Sequence, residues 1–260
     1  AVKKLVKIDK NGKIVQAGAA LGTGNNVPGS DDLIYLLFEQ SGVDFTNKSG
    51  RAAFNTTANQ SGSEGAIATV MNFYTDFANP TRDTYTWNES MNNAIDDFVN
   101  GSLGFFFGYN YHYAQIKARA PQLNFSILPM LQVNPETQVN AANYWVQAVP
   151  LKSKKQNEAW GLVTYLTHSP ATKKYLDKSV RPTALRAFIS MQAEKPELSP
   201  FVSQSLIAQN WYRGKDYEAA AQAINTMLKE WLNAPTEEDK VAEWRQGALN
   251  RAAQKVNQTL

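Results

Sequence analysis

The sequence has 260 residues, 43% of them hydrophobic and 19% charged, with a formal net charge of +3, a make-up that argues against wholesale disorder. Basic residues alternate with acids instead of gathering on one helix or loop, which argues against a nucleic-acid partner. There is no cysteine and the only histidines are His112 and His168, so disulfides, a thiolate nucleophile and thiolate- or histidine-rich metal sites are excluded, and no cofactor is expected.

No run approaches the ~18 uninterrupted apolar residues of a membrane span. The start, Ala1-Val-Lys-Lys-Leu5, has no apolar core of signal-peptide type. A cytoplasmic protein and one whose leader lies outside these residues both fit.

In chain order, Asp9-Lys-Asn-Gly12 predicts a tight turn before a short strand, Lys13–Ala17. A Gly- and Asn-rich loop, residues 22–30, comes next. Val27 and the lack of a following Gly-Lys-Ser/Thr break both nucleotide fingerprints. Its backbone N–H groups could cradle an anion, but an ordinary turn-rich loop accounts for the same residues. Ser30 or Asp31 then caps a helix carrying Leu33, Ile34, Leu37 and Phe38 on one side and ending at Gly42. Residues 44–62 are polar and turn-forming. Ser61-Gly-Ser-Glu64 matches a capping box and opens a helix with Ile67, Val70, Met71, Tyr74 and Phe77, stopped by Asn79-Pro80.

Asn88 is expected to cap the next helix, with Met91, Ala94, Ile95 and Phe98 on one face and Gly101 closing it. Leu103–Phe107 reads as a buried strand, followed by Gly108 and an aromatic loop. A basic helix ends near Pro121, and further strands are expected at Phe125–Leu128 and Tyr144–Val149. The next helix carries Ala159, Leu162, Val163 and Leu166. Ser169-Pro170 supplies a cap and a first-turn proline for another. Tyr217, Ala220, Ala221, Ile224, Leu228 and Trp231 recur at helical spacing, and Thr236-Glu-Glu-Asp239 starts a last helix with Val241, Trp244 and Ala248. Short strands among many helices imply an α/β layered fold. No internal repeat and no clear linker divides the chain.

Two acidic clusters stand out, Asp96-Asp97 and Glu237-Glu238-Asp239. Both fit solvated or dipole-complementing positions in helices better than a catalytic pair, and no Gly-x-Ser-x-Gly elbow is present. The aromatic residues say more. Tyr85 and Trp87 precede a helix cap, Tyr109, Tyr111 and Tyr113 alternate after Gly108, Tyr144-Trp145 begin a segment, and Trp211-Tyr212 stand just before a helix. Each set lies in or beside a loop. Flat rings flanked by hydroxyls and amides suit a ligand with apolar C–H faces and many hydroxyls, such as a sugar. Sealing the edge of a core is the plainer role for any one of them.

The run Tyr85-Thr-Trp-Asn-Glu-Ser-Met-Asn-Asn-Ala-Ile-Asp-Asp-Phe-Val-Asn-Gly101, followed by Leu103-Gly-Phe-Phe-Phe-Gly-Tyr109, resembles a segment of the family 1 extracellular solute-binding proteins. Ser102 stands where that family usually has Lys, and phenylalanines replace its methionines. The resemblance continues in order through Pro121–Pro129, Tyr144–Pro150, Ala159–Leu176 and Val180-Arg-Pro182, and the Gly18-to-Gly42 stretch is similar to the family's entry into its second lobe.

This resemblance implies the periplasmic-binding-protein type II fold, here mainly the C-terminal lobe with crossing segments. Residues 1–147 would be the first part of the second lobe, 148–184 a crossing segment that packs on a missing first lobe, and 185–260 C-terminal helices returning to the second lobe. It implies a non-catalytic, extracytoplasmic binding component of an ABC importer, periplasmic or lipoprotein-anchored, partnered by the transporter's membrane subunits and by a first lobe present as a fragment or separate chain. Two lobes would close around a solute, by resemblance a sugar. Tyr109, Asn110, Tyr111 and Trp145 would then line the cleft, Trp211 and Tyr212 would lie beneath the ligand, and Trp87 and Asn25 would stand nearby. Two rivals remain open on the residues alone. A carbohydrate-active enzyme would show facing carboxylates with raised pKa in the aromatic cleft. A helical interaction module would show exposed rings at Trp231 and Trp244. An apolar face around Ala159, Leu162, Val163 and Leu166 is expected to lie uncovered within these residues.

Overall fold

The computed structural model describes residues 2–56, 63–136 and 138–260. A short helix α1 (Val2–Leu5) and strand β1 (Lys7–Ile8) lead through the expected turn into β2 (Ile14–Ala19). Strand β2 pairs antiparallel with β1 and parallel with β3 (Leu103–Phe105), with Ala17 opposite Leu103 and Ala19 opposite Phe105. A parallel pair requires a long crossover, and here it carries α2 (Ser30–Gln40), α3 (Ser63–Thr75) and α4 (Ala94–Val99). Gly18 is required by close approach, because a Cβ there would lie 2.5 Å from the backbone oxygen of Val2.

The core forms where α2 and α3 meet the two last helices, α10 (Tyr217–Leu232) and α11 (Glu238–Gln258). In α10, Ala220, Ala223, Ile224, Met227, Leu228 and Trp231 are buried at helical spacing. They face Ile34, Phe38, Met71 and Tyr74, with Leu249, Ala252 and Val256 of α11 completing the cluster. Trp231 also donates its indole N–H to Asn72 Oδ1 at 3.0 Å, and the Arg245 guanidinium lies 4.5 Å from its ring centroid. Trp231 is therefore core, whereas Trp244 is exposed and turns its indole N–H to the Glu230 carbonyl at 2.8 Å. The feature that would mark an interaction module is absent at Trp231.

Between these halves run α5 (Asn110–Arg119), β4 (Asn140–Ala141), α6 (Gln156–His168), α7 (Pro170–Ser179), α8 (Arg186–Ala193), α9 (Ser199–Val202) and β5 (Ala208–Gln209), which pairs parallel with β4. Gln40 anchors the loop ahead of β4 to α2 by donating to the Leu131 and Val139 carbonyls and accepting from the Val133 N–H. Helices α6 and α7 bury no side chain. Leu162 and Leu166 are exposed, together with Trp160, Tyr165, Tyr175 and Leu151, while Ala159 and Val163 are half-buried. Among the described residues no helix is long and apolar enough to cross a membrane.

Several local expectations differ from the structure. Gly29, with φ 72°, is the N-cap of α2, because the Ser30 hydroxyl is taken by the Gly24 carbonyl and Asn225, and Asp31 is held by Tyr217. Asn93 caps α4, its Oδ1 accepting from the Ile95 N–H, while Asn88 closes a local turn onto the Ser90 N–H. Phe125–Leu128 and Tyr144–Val149 join no sheet, and strand pairing in this part is confined to β4 and β5. The Phe105–Phe107 run is not buried: Phe105 is exposed, and Phe106 and Phe107 are half-covered. Of the two positions expected, Asp97 takes the dipole-complementing one, in the first turn of α4, but is buried and accepts from Asn92 Nδ2 at 2.9 Å. Ser61 of the expected capping box lies outside the described residues.

Candidate functional site

Helix α2 is buried along almost its whole length, so the acids of its first turn, Asp31 and Asp32, go inside with it and are only 4% and 7% exposed. The helix dipole favours negative charge there, yet burial still demands partners. Three aromatic residues from distant parts of the chain supply them. Trp211, after β5, donates its indole N–H to Asp32 Oδ1 at 2.8 Å. Tyr109, on the loop between β3 and α5, donates its hydroxyl to Asp32 Oδ2. Tyr217, the first residue of α10, donates to Asp31 Oδ2 at 2.7 Å and reaches Asp32 Oδ2 at 3.3 Å.

The rings pack as a cluster as well. Trp211 lies 5.5 Å from Tyr212 and 6.3 Å from Tyr217, centroid to centroid, and edge-on to Phe45 of the core at 5.1 Å. Tyr111 stacks on Tyr109 with centroids 5.8 Å apart and planes 17° from parallel. Gly29, whose left-handed φ of 72° suits glycine, lies beside the Tyr109 ring. The cluster is therefore layered. Trp211 and Tyr212 are buried, whereas Tyr111 and Tyr217 are 48% and 38% exposed.

Burial, then the neighbouring Asp32 charge, pushes the Asp31 carboxyl up to about 6, against the lowering effect of the Tyr217 bond. Asp32 is also raised, by burial, and its three aromatic donors oppose the rise. The Tyr109 and Tyr217 hydroxyls are raised by burial and by the acids beside them. His112 takes the Tyr109 backbone N–H on Nδ1 at 2.9 Å, and burial brings it down to about 4, so it is a neutral, fixed part of the first turn of α5.

Of the residues singled out from sequence, Tyr109, Tyr111, Trp211 and Tyr212 come together here, and Asn110 stands between the two tyrosines with its buried side-chain nitrogen unbonded. Trp87 is fully buried and donates its indole N–H to Asn26 Oδ1 at 3.1 Å. Asn25 is exposed, next to Asn26, which also bonds Thr23 and the Asn88 and Met91 carbonyls. Trp145 is 94% exposed on a segment outside the sheets and touches none of these rings. Sequence reasoning missed Asp31, Asp32 and Tyr217. The usable sign was an acid pair directly ahead of Leu33-Ile34, polar groups on a helix otherwise written for the interior.

This mixed α/β lobe has the periplasmic-binding-protein type II fold, as its similarity to solved structures of that fold shows. A profile of the bacterial extracellular solute-binding proteins matches residues 1–196, and the chain belongs to that family. Its structure is similar to an ABC transporter solute-binding protein of Thermotoga lettingae bound to α-D-tagatose (TM-score 0.67, 16% identity, 94% of this chain and 59% of that one). It is also similar to a cyclo/maltodextrin-binding protein complexed with maltotetraose (TM-score 0.69, 12% identity, 99% and 62%). A third is the maltose/maltodextrin-binding domain MalE of Bdellovibrio bacteriovorus bound to maltotriose (TM-score 0.61, 17% identity, 99% and 63%). The chain thus spans about six-tenths of the length of these proteins. No curated protein sequence matches it.

Proposed function

We propose that the protein captures a small carbohydrate, without chemically altering it, and passes it to the membrane subunits of an ABC importer outside the cytoplasm, in the periplasm or as an anchored lipoprotein. The observation that carries this reading is the convergence of Tyr109, Trp211 and Tyr217, from three separate stretches of chain, on the Asp31–Asp32 pair. Tyr111 and Tyr217 are the rings with exposed surface to offer a sugar's C–H faces. Sugar ligands in the solved structures with the same fold support the choice of class.

The second wall of the cleft would come from a first lobe seated on residues 148–184. Support lies in the exposed apolar side chains of this segment, among them Leu162, Tyr165 and Leu166 towards one side of α6. Trp145, at the edge of that segment, would then meet the cleft from the crossing side.

The raised carboxyls also bring the enzyme reading into view. Against it, the two acids are neighbours on one helix, bond the same Tyr217 hydroxyl and are nearly inaccessible, whereas glycoside hydrolysis needs carboxyls on opposite sides of the bond cleaved. A thermal-shift screen of mono- and oligosaccharides on the full-length protein, first lobe included, tests the reading, because a ligand that binds only the folded state raises its melting temperature. The expected result is stabilisation by at least one saccharide, lost in Tyr111→Ala with the unliganded melting temperature preserved. Stabilisation that survives Tyr111→Ala and Tyr217→Ala alike would remove this wall from the site.

A further inference from the structure

An ionised carboxylate only accepts hydrogen bonds, an indole N–H only donates, and a phenol hydroxyl has one proton and two lone pairs. Here both carboxylates are buried and filled from within: Asp32 takes Trp211 on one oxygen and Tyr109 on the other, and Asp31 takes Tyr217. Each tyrosine has therefore committed its single proton to an acid. A tyrosine at an ordinary surface turns its hydroxyl to suit a partner. Tyr109 and Tyr217 cannot do so without giving up a charge-assisted bond and stranding a buried carboxylate.

We propose that Asp31 and Asp32 set the hydrogen-bond polarity of the ligand wall, leaving Tyr109 and Tyr217 able to meet a solute only as acceptors, so that the solute groups opposite them must be donors. This deepens the binding reading above and rests on it. It makes the acid pair a determinant of specificity that touches no ligand itself. The solute class it selects has free hydroxyl or amino groups at that position, and sugars whose hydroxyls there are methylated or otherwise stripped of protons are rejected. Replacing Asp32 by its amide reverses the pattern at Tyr109. The Asp32→Asn carboxamide must keep its oxygen towards Trp211, which can only donate, so its NH₂ faces Tyr109 and donates to it. The Tyr109 proton is then free to turn outward, while Tyr217 stays bonded to Asp31.

The test uses the full-length protein at pH 8, above the value of about 6 to which burial and Asp32 push Asp31. Tagatose, mannobiose and maltotriose are titrated calorimetrically, each beside its set of monodeoxyfluoro derivatives, in which fluorine keeps the size of the hydroxyl but donates nothing. For a sugar that binds, fluorine at one or two positions is expected to weaken binding roughly tenfold or more. The penalty at the position facing Tyr109 should fall to within about twofold in Asp32→Asn. If an amide variant fails to fold, Tyr109→Phe and Tyr217→Phe serve instead, since removing the acceptor should also erase the penalty. Tight binding with no fluorine-sensitive position, or a penalty unchanged in these variants, overturns the inference and leaves the binding reading standing. No binding by any of the three sugars overturns the reading and the inference together.

Discussion

Trp211 and Asp32 are 179 residues apart in sequence and joined by a single 2.8 Å hydrogen bond inside the protein. That bond ties the segment entering α10 to the start of α2, and the Trp211 ring also packs edge-on against Phe45. Trp211→Ala is expected to cost about 3–5 kcal/mol of folding stability in urea denaturation, as large aromatic truncations in cores do. Trp211→Phe should cost less, since it keeps most of the ring and loses the donor. Equal losses would show that the hydrogen bond contributes nothing separable from packing.

Two groups near the site push stability in opposite directions over one pH range. Asp31 is raised in the folded protein to about 6 from 3.8, so the folded state binds more protons, and its contribution falls as pH rises from about 4 to 6. Asp32 shares that direction. His112 is lowered to about 4 from 6.5, so the unfolded state binds more protons, and its contribution grows as pH rises from about 4 to 6.5. Chemical denaturation from pH 4 to 7 should therefore show a steeper gain in stability with pH for Asp31→Asn than for the parent protein. In His112→Asn it should show a decline. Parallel profiles for all three proteins would contradict these assignments.

Asn26 and Asn25 are adjacent and should behave oppositely. Asn26 accepts from Trp87 and Thr23 and donates to two backbone carbonyls. Asn26→Ala strands the buried Trp87 indole N–H, at an expected cost of about 1–3 kcal/mol. Asn25→Ala, at an exposed position, should stay within about 0.5 kcal/mol of the parent protein. Thermal melts of the two variants are sufficient to check this.

Gly18→Ala would drive a methyl group into the Val2 carbonyl, which is backbone and cannot swing aside. The expected cost is about 1–3 kcal/mol, taken up by detachment of α1. Limited proteolysis should then cut near Leu5 faster than in the parent protein. An unchanged cleavage rate with unchanged stability would show that α1 is not held there.

The uncovered side chains of α6 should matter for solubility and not for folding. Leu162→Gln with Leu166→Gln removes apolar surface that residues 1–260 do not bury. Self-association by analytical ultracentrifugation should fall while the melting temperature holds. A lower melting temperature would mean that this face is covered by the same polypeptide.

Helices were legible in the sequence wherever a buried face repeated at helical spacing, as in α10, or where an expected stop was real, as at Asn79-Pro80. The strands after Phe107 were not, because an apolar run such as Tyr144–Val149 states only that something covers it. Here nothing among the described residues covers it: Tyr144, Trp145 and Val146 are all exposed. Most of the aromatic cluster was legible: Tyr109, Tyr111, Trp211 and Tyr212 stand at or near loop–helix junctions, where amphipathic rings have a purpose. Asp31 and Asp32 were hidden by their position, since acids at a helix start already have an ordinary explanation in the dipole. Only burial of the whole of α2 shows that they face inward. Trp87 was misleading in the opposite sense, as a ring beside a loop that the core absorbs.

The helices that roof the core, α10 and α11, follow every other element in chain order, while the surfaces they cover on α2 and α3 come early. On the ribosome, Phe38, Met71 and Tyr74 must therefore wait, uncovered, until nearly all of these residues have been made. The core of this lobe cannot close until its last two helices have been added. Moving α10 and α11 to the front by circular permutation would place that cover ahead of the surfaces it protects.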